Sequence, residues 1–335
     1  MIPPIKVTLA VSEQQVKNNI SENLKIIPTW FDQFFYPNGF EAFIISGGPS
    51  MEKYVEELNL VERCKHPNRG FITICVKHAL PRLLKMGIEP DFCILLDGRP
   101  LNEDSTHGVN RKSLFEEVPS KTIFLVASMS HPDYANYLMT HGARVMGWHT
   151  QVTGLKEFNI NGPIINGGTS SGTRAISVCH ALGIREMTLI GFDSCHHGLT
   201  DEQKNEVKEG GKSKYIPHDM SVAGYKFNDE QFGHLRNLGE SIDKDGYGFR
   251  GEVIKRFWTT GELLAQAQDF EAIFSNPEYD LQFKVFDDGL VSHIFNNIQR
   301  PIRGRSFIEY FRNAVPKKTY DNVPRRKIIP KETKK

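Results

Sequence analysis

The fold is decided by the stretch Pro163–Ser194, PIINGGTSSGTRAISVCHALGIREMTLIGFDS. It begins with a turn rich in glycine and hydroxyl residues, continues as a helix over Thr173–Leu182 closed by Gly183, and ends in an apolar strand over Met187–Gly191. This layout is typical of an open α/β sheet, and Asp193 follows the strand at the edge where such sheets bind ligands. Because N–H groups at a helix start attract anions, the stretch predicts a phosphate-handling turn.

Further apolar runs alternate with helical segments on both sides of this stretch. Continuous apolar runs suit strands covered on both faces, and their alternation with helices predicts an α/β fold: a Rossmann-like, mostly parallel sheet with flanking helices and a polar insert. The other predicted strands are Ala42–Ser46, Phe71–Val76, Asp91–Leu96, Thr122–Ala127, Arg144–Trp148 and Gln282–Phe286. The other predicted helices are Ser12–Ile26 with Ser12 as N-cap, one beginning near Met51, His78–Met86, Pro132–Thr140, Thr260–Phe274 and a short amphipathic segment over Ile302–Asn313.

We expect three parts in the chain: a helical segment over residues 1–40, a Rossmann-like domain over 41–314 and a basic tail over 315–335. Within the domain, residues 198–250 are polar and read as an insert, either a lid or a disordered loop. The net charge of +1 argues against a general nucleic-acid binder. The tail from Lys317 to Lys335 holds eight basic and two acidic residues, so it is the one candidate contact for nucleic acid, although a solvated tail is the simpler interpretation.

The cysteines and the N-terminal residues indicate in which cellular compartment the protein is expected. The five cysteines show no CxxC spacing, and the N-terminus lacks the pattern of a signal peptide. We therefore expect a reducing, cytoplasmic setting. No run approaches the roughly 18 apolar residues of a membrane span, so none is predicted.

The first candidate motif follows the strand Ala42–Ser46 and consists of Gly47, Gly48, Pro49 and Ser50. The glycines allow a phosphate to approach the backbone, the proline fixes the turn, and the serine is expected to cap the next helix and to offer a hydroxyl. An ordinary strand-to-helix turn is the alternative.

The second candidate is a pair of aspartates, each placed directly after an apolar strand. Asp97 follows Asp91–Leu96, and Asp193 follows Met187–Gly191. Either residue alone is also explained as a turn or cap. Two carboxylates at one sheet edge can share a Mg²⁺ together with phosphate oxygens, so the pair predicts metal ligands that also take part in catalysis.

The third candidate is the turn before the predicted helix Thr173–Leu182. Its residues are predicted to bind phosphate: Asn166, Gly167, Gly168, Thr169, Ser170 and Ser171. No GxSxG elbow surrounds it, so covalent catalysis is not favoured. His149 and His197 follow strand ends without any zinc-ligand spacing, and they are either polar loop residues or proton shuttles. Lys77, followed by His78, is a further candidate contact for phosphate.

Three segments in order resemble the 6-hydroxymethylpterin diphosphokinase MptE-like family: Gly47–Met51, Gly87–Asp97, and Gly168–Ser170 leading to Asp193. The resemblance spans roughly residues 40–300 and implies a Rossmann-like fold. The family includes an archaeal pterin enzyme, bacterial motility-accessory (Maf) glycosylation proteins and phage proteins. A phage-infected host cell is therefore an alternative setting.

The resemblance implies a transferase whose ligands are a small-molecule nucleotide and an acceptor. The first expectation is transfer of diphosphate from ATP to a hydroxymethyl group, with Mg²⁺ and the glycine loops holding the triphosphate. The second is glycosyl transfer from a CMP-activated sugar, with His149 or His197 as acid or base. A non-catalytic nucleotide-binding module is the third.

Overall fold

The computed structural model describes residues 10–102, 111–152, 154–195, 261–276 and 280–298. The predicted insert over 198–250, the segment Ile302–Asn313, the tail over 315–335 and His197 all lie outside the described residues.

Eight strands form one sheet in which every described pairing is parallel. Their order across the sheet is β6-β5-β4-β3-β2-β1-β7-β8. The strands are β1 (Glu41–Ile45), β2 (Phe71–Val76), β3 (Phe92–Leu95), β4 (Ile123–Ala127), β5 (Arg144–Thr150), β6 (Ile164–Ile165), β7 (Glu186–Ile190) and β8 (Gln282–Phe286). This confirms the predicted α/β class, and the sheet is wholly rather than mostly parallel in the described part.

Most of the described helices lie between consecutive strands, whereas the first precedes β1 and the last follows β8. They are α1 (Glu13–Ile26), α2 (Met51–Glu57), α3 (Leu60–Cys64), α4 (Leu80–Lys85), α5 (Pro132–Thr140), α6 (Ser171–Ala181), α7 (Gly261–Ser275) and α8 (Leu290–Ile298), with 3₁₀ turns at Arg111–Phe115 and Leu155–Glu157. Because parallel crossovers are right-handed, the helices between β1 and β5 lie on one face. Through α6 the chain crosses the sheet in the opposite direction, from β6 back to β7, so α6 lies on the other face. There it contacts β1, β2, β3 and α7.

Both faces of the central strands are covered, which is why the apolar runs are continuous. In β1 the side chains of Phe43, Ile44 and Ile45 are all buried, and Ile44 pairs with Ile74 of β2 on one side and Leu189 of β7 on the other. Burying one such side chain contributes about 1.5–3 kcal/mol, so the sheet centre is the main source of stability.

The N-terminal helix α1 belongs to the same core. Ser12 caps it by accepting the N–H of Gln15, as predicted, and Val16 and Ile20 are fully buried. It packs on α5 of the sheet domain. In the described ranges, no helix combines the length and the apolar character that crossing a membrane requires.

Candidate functional site

The strand order reverses between β1 and β7, and this reversal positions the candidate site. From β1 the chain extends the sheet through β2 to β6, and it then returns over α6 to place β7 on the other side of β1. The connections that leave β1 and β7 therefore run to opposite faces. Open α/β sheets bind ligands in the crevice that such a divergence leaves at the carboxyl ends of the strands.

The first predicted motif, Gly47–Ser50, is the loop that leaves β1. Gly48 donates its N–H to the carbonyl of Gly191 at 2.9 Å, and a Cβ at Gly48 would overlap both Gly191 and the Asp193 carboxylate. Glycine thus allows this loop to lie directly against the end of β7. The need for glycine is explained by packing within the protein, and phosphate binding by this loop stays a prediction.

Asp193, which is only 1% exposed, joins three loops at this edge. Its Oδ2 accepts the Ser50 hydroxyl at 2.8 Å and the Ser50 N–H at 3.2 Å, and its Oδ1 accepts the N–H of Asp288 at 3.3 Å. Its carbonyl accepts the N–H of Leu290 at 2.7 Å. Ser50 stands at the N-cap of α2, but the prediction that its side chain caps the helix is wrong. Its backbone is already helical (φ −85°, ψ 0°) rather than extended as in a capping residue, and its hydroxyl donates to Asp193.

The turn before α6 reaches the same place. Ser170 and Thr173 form a capping box, in which each side chain accepts the other residue's N–H at 3.2 Å. The Gln266 side chain of α7 then bridges two hydroxyls, donating to Ser170 Oγ and accepting from Ser194 Oγ, both at 2.9 Å. Ser194 adjoins Asp193, so the structure brings the first and third motifs together at the carboxyl ends of β1 and β7.

This turn holds a carboxylate of the protein itself. Asp269 of α7 accepts the N–H of Thr169 at 2.5 Å and its hydroxyl at 2.7 Å. The φ angles of Gly167 and Gly168 are +140° and +56°, which side-chain-bearing residues rarely adopt. The turn therefore has the geometry to hold an oxyanion, while nucleotide binding by Asn166–Ser171 stays a prediction.

Asp97 lies in a different setting, surrounded by cations at the carboxyl ends of β2 and β3. The ammonium of Lys77 bonds directly to Asp97 Oδ2. Arg99 donates from Nε to Oδ1 at 2.8 Å and from Nη2 to Oδ2 at 3.0 Å, and Arg111 Nε lies 3.6 Å from Oδ2. Lys77, Asp97 and Arg111 are all buried, whereas the Arg99 side chain is 44% exposed.

Burial and the neighbouring charges lower the pKa values of Asp97, Lys77 and His78 in this cluster. Burial alone would raise the pKa of Asp97, but the charge of Lys77 and the hydrogen bonds from Arg99 outweigh burial and hold that pKa well below its usual range. Burial lowers the pKa of Lys77, although Asp97 partly opposes the shift. Burial, followed by the charge of Lys77, lowers the pKa of His78 to about 3, so His78 is neutral at pH 7 and is unsuited to be a general acid there.

The two predicted metal ligands are not brought together. The strands β3 and β7 are three places apart in the sheet, about 14 Å at the usual 4.7–4.9 Å per strand. The Asp97 oxygens are taken by cations, and those of Asp193 accept N–H and O–H groups. These residues as placed do not fit one shared Mg²⁺, and no group of three or more potential ligands suited to a metal lies within the described residues. That the chain uses Mg²⁺ stays a prediction.

Of the predicted histidines, His149 lies in β5 and is four strands from β1. It is buried under the Trp30 ring, with ring centroids 4.5 Å apart and 7° between the planes, and burial lowers its pKa. It is therefore remote from the crevice between β1 and β7. His197 lies outside the described residues.

Several contributing residues were not anticipated from the sequence. Arg82 of α4 donates to the carbonyls of Gly47 and Gly48 at 2.7 and 3.3 Å, and these two hydrogen bonds fix the loop Gly47–Ser50. Asp287 follows β8 as Asp97 and Asp193 follow their strands, and the same pattern of an aspartate after an apolar run would have found it. No local signal in the sequence marks Arg82.

A cavity of about 200 Å³ borders the third motif at Asn166 and lies between β6, α6 and α7. Most of its lining is apolar: Phe34, Ile164, Ile165, Ile176, Ile273 and Leu281, with Asn166, Ser177 and His180 as the polar members. It offers few donors to a phosphate, so it is not the candidate anion site.

Comparison with known proteins identifies a family and similar solved structures. Residues 14–198, more than half of the chain, match the family described as 6-hydroxymethylpterin diphosphokinase MptE-like. A Maf glycosyltransferase from Magnetospirillum magneticum AMB-1 is similar at 17% sequence identity and a TM-score of 0.42, covering 57% of this chain and 29% of that chain. The chain thus spans less than a third of that protein, and similarity at this level says nothing about a shared activity. No curated protein matches.

Proposed function

The chain belongs to the 6-hydroxymethylpterin diphosphokinase MptE-like family, and from this premise we propose that it is a transferase that binds the phosphates of a nucleotide donor at the carboxyl ends of β1 and β7. The observation that carries the proposal is the convergence of Gly47–Ser50, Asp193 and the turn before α6 at the point where the strand order reverses. Crevices of this kind are where open α/β sheets bind nucleotides.

The helix α6 supplies donors for an anion at this place. The first N–H groups of a helix have no acceptor within the helix, and the positive end of its dipole favours negative charge. The Ser170 side chain accepts the N–H of Thr173. Ser171 and Gly172 precede Thr173 in the first turn of the helix, and we assign their N–H groups as the donors to the anion. Asp269 on Thr169 supports the proposal, because it is an oxyanion held by the N–H and hydroxyl groups of this turn.

The reaction we propose is diphosphate transfer. The hydroxymethyl oxygen of the acceptor attacks the β-phosphorus of ATP and releases its proton to solvent. The bond from that phosphorus to the oxygen bridging the α-phosphorus breaks, and AMP leaves. Transfers of this kind need little covalent help from the protein, so catalysis rests on holding donor and acceptor in line and on neutralising charge. Asp193 contributes by fixing the three loops that line the crevice.

A ligand screen tests the proposal. We expect ATP with Mg²⁺ to raise the Tm of the protein through preferential binding to the folded state, and CMP and CMP-sugars to have smaller effects. The variant Asp193→Asn keeps the side-chain size but weakens the hydrogen bonds from Ser50, so it should raise the Kd for ATP about tenfold, equivalent to roughly 1.4 kcal/mol. The exposed Asp280→Asn serves as the matched control.

The outcomes separate the candidates. If CMP or a CMP-sugar raises the Tm more than ATP does, the result favours glycosyl transfer over diphosphate transfer as the function. Binding of ATP without turnover of any hydroxymethyl acceptor would favour a binding module. If no nucleotide raises the Tm, or if Asp193→Asn binds ATP as tightly as the wild type, the crevice between β1 and β7 is not the donor site.

A further inference from the structure

The cavity of about 200 Å³ between β6, α6 and α7 has an apolar lining that is partly exposed. Ile165 and Ile176 are buried in its walls, whereas Phe34 is 60% and Ile164 is 43% exposed. Large apolar side chains exposed beside a cavity are typical of a ligand site, and a cavity of about 150 Å³ lined by Leu, Ile and Phe binds benzene in another protein. The cavity therefore has the size and the lining to hold one planar ring.

Two polar groups of the lining have hydrogen-bonding capacity to spare. Asn166 Oδ1 accepts the N–H of Gly167 at 2.9 Å, but within the described residues its amide Nδ2 makes no hydrogen bond, and neither does the Ser177 hydroxyl. Because an amide N–H donates and a hydroxyl both donates and accepts, these groups match a ring whose edge carries nitrogen and oxygen atoms. A nucleobase is such a ring, and a plain hydrocarbon is not.

Arg174 of α6 lies next to the cavity and has donors without acceptors. Its Nη1 donates to the Ile165 carbonyl at 3.2 Å and to Asn166 Oδ1 at 3.4 Å. Its Nε is buried without an acceptor, and among the described residues its Nη2 makes no hydrogen bond. The charge of Asp269 acts on the guanidinium, but no carboxylate of the described ranges forms an ion pair with it. A buried donor without an acceptor is costly, and the Nε–Nη2 edge of a guanidinium matches two oxygens of a phosphate.

Asn166 connects the cavity with the turn before α6. It lines the cavity and belongs to the turn, and a Cβ on the next residue, Gly167, would overlap the Ser177 hydroxyl of the cavity wall. The first N–H groups of α6, which attract anions, follow in the same stretch of chain. A mononucleotide carries a ring and an anion separated by one ribose, so it has the two parts that this arrangement receives.

We infer that the cavity binds the base of the nucleotide donor, that Phe34 packs on the base, and that Arg174 binds the phosphate next to the ribose. The inference rests on the proposed function, since it assigns a place to the base of the donor whose phosphates bind at the carboxyl ends of β1 and β7. Every base has a face that stacks on an aromatic ring, so stacking on Phe34 does not select among bases. Asn166 and Ser177 are then the residues that determine which base is bound.

Calorimetric titration of the full chain with AMP, adenosine and inorganic phosphate tests the inference. We expect the wild type to bind AMP more tightly than either of its parts. Arg174→Gln should weaken AMP binding by about tenfold and leave adenosine binding unchanged, because only the contact with the phosphate is lost. Arg174→Lys should restore part of the affinity for AMP. Arg144→Gln, which removes an exposed arginine at the start of β5, is the matched control and should bind AMP like the wild type.

Phe34→Ala tests the cavity at a position that is 60% exposed, where the substitution leaves the core intact. Loss of stacking should weaken the binding of both AMP and adenosine by about fivefold, while the binding of inorganic phosphate stays unchanged. Tyr36→Ala is the matched control. This residue is 74% exposed in the same segment and is not part of the cavity lining, so its removal should change neither affinity.

Absence of AMP binding to the wild type, or unchanged AMP affinity in Arg174→Gln or in Phe34→Ala, would overturn the inference. The result is separable from the proposed function. Binding of ATP that depends on Asp193 but not on Phe34 or Arg174 would retain the donor crevice and remove the base site. AMP binding that depends on Phe34 and Arg174, together with ATP binding that Asp193→Asn leaves unchanged, would do the reverse. Tighter binding of CMP than of AMP, with the same dependence on both residues, would retain the base site and favour glycosyl transfer.

Discussion

Asp287 is a buried acid at the carboxyl end of β8. Its Oδ1 accepts the N–H groups of Gly289 and Ser292 at 2.8 and 3.2 Å, whereas its Oδ2 is buried without a hydrogen bond. Burial first, and then the negative charge of Asp193, raise the pKa of Asp287 to about 6. Ionised Asp287 therefore destabilises the folded state at neutral pH.

This raised pKa predicts a pH dependence of stability. Because the folded state holds the proton more tightly than the unfolded chain, the contribution of Asp287 is fully present below pH 4 and is lost as pH rises through about 6. A shift of about two units corresponds to roughly 3 kcal/mol. Asp287→Asn should flatten the dependence of the unfolding free energy on pH between 4 and 7, measured by urea denaturation, whereas Asp280→Asn should follow the wild type. Parallel pH profiles for wild type and Asp287→Asn would contradict the assignment.

Gly48 allows the loop after β1 to pack against the end of β7, at the point where the strand order reverses. A Cβ at this position would overlap the Gly191 carbonyl, which is backbone and has little room to move. Gly48→Ala should therefore lower the free energy of unfolding by about 1–3 kcal/mol, the usual range for overpacked sites. Gly70→Ala, where a Cβ would meet nothing within 4 Å, is the matched control and should change stability by less than about 1 kcal/mol. Equal effects of the two substitutions in chemical denaturation would show that the loop can shift to accept the methyl group.

At the scale of elements, α1 docks through amides as well as through apolar side chains. Asn19 and Asn23 are one turn apart and both buried. The Asn19 amide donates to the carbonyls of Gly98 and Met129, both at 3.0 Å, and the Asn23 amide donates to those of Ser128 and Ser130 at 2.9 and 2.6 Å. The helix thus holds the loops that follow β3 and β4.

Replacing one of these amides should loosen the helix. Asn23→Ala leaves two buried carbonyls without a donor, and we expect a loss of about 2–3 kcal/mol in the unfolding free energy. Hydrogen exchange should show the loss concentrated in α1 and in the loop after β4. Asn18→Ala, an exposed asparagine on the same helix, should lower stability by no more than about 0.5 kcal/mol. A similar loss in both variants would mean that helix propensity, rather than docking, is what changed.

Elements with strong patterns were predicted well, and short ones were not. The ranges Phe71–Val76, Pro132–Thr140 and Gln282–Phe286 were predicted to the residue. The strand β6 has only two residues, too few to show a pattern, and the helix α8 follows an acidic turn and was not anticipated. Both owe their conformation to neighbours, since β6 exists through pairing with β5 and α8 packs on α7 and β8.

At the scale of the whole molecule, the core extends beyond the family match. The match ends at residue 198, yet β8 pairs with β7 along its full length. Phe270 and Phe274 of α7 are fully buried, and Phe270 packs edge-on against Phe192 at 5.1 Å. The region after residue 260 is therefore part of the same fold.

A chain ending at residue 198 should consequently fail to fold. It would expose the edge of β7 and the surface that α7 and α8 cover, and an exposed apolar edge favours aggregation. We expect no cooperative thermal transition and strong binding of a hydrophobic dye, compared with the full chain under the same conditions. A monomer that unfolds cooperatively would show that residues 1–198 form a domain by themselves.

The amino-acid sequence is enough to establish the class of the fold, because strands buried on both faces must be continuously apolar and each parallel pair requires a crossover. It also located the loop after β1 and the turn before α6, since glycines, hydroxyls and helix caps leave local signals. Tertiary structure alone decided which of these meet. Asp193 reaches Ser50 because β7 lies beside β1, whereas Asp97 is held three strands away among Lys77, Arg99 and Arg111. The physical reason is that strand order depends on how the crossovers pack over the sheet, a property of long-range contacts that no local pattern encodes.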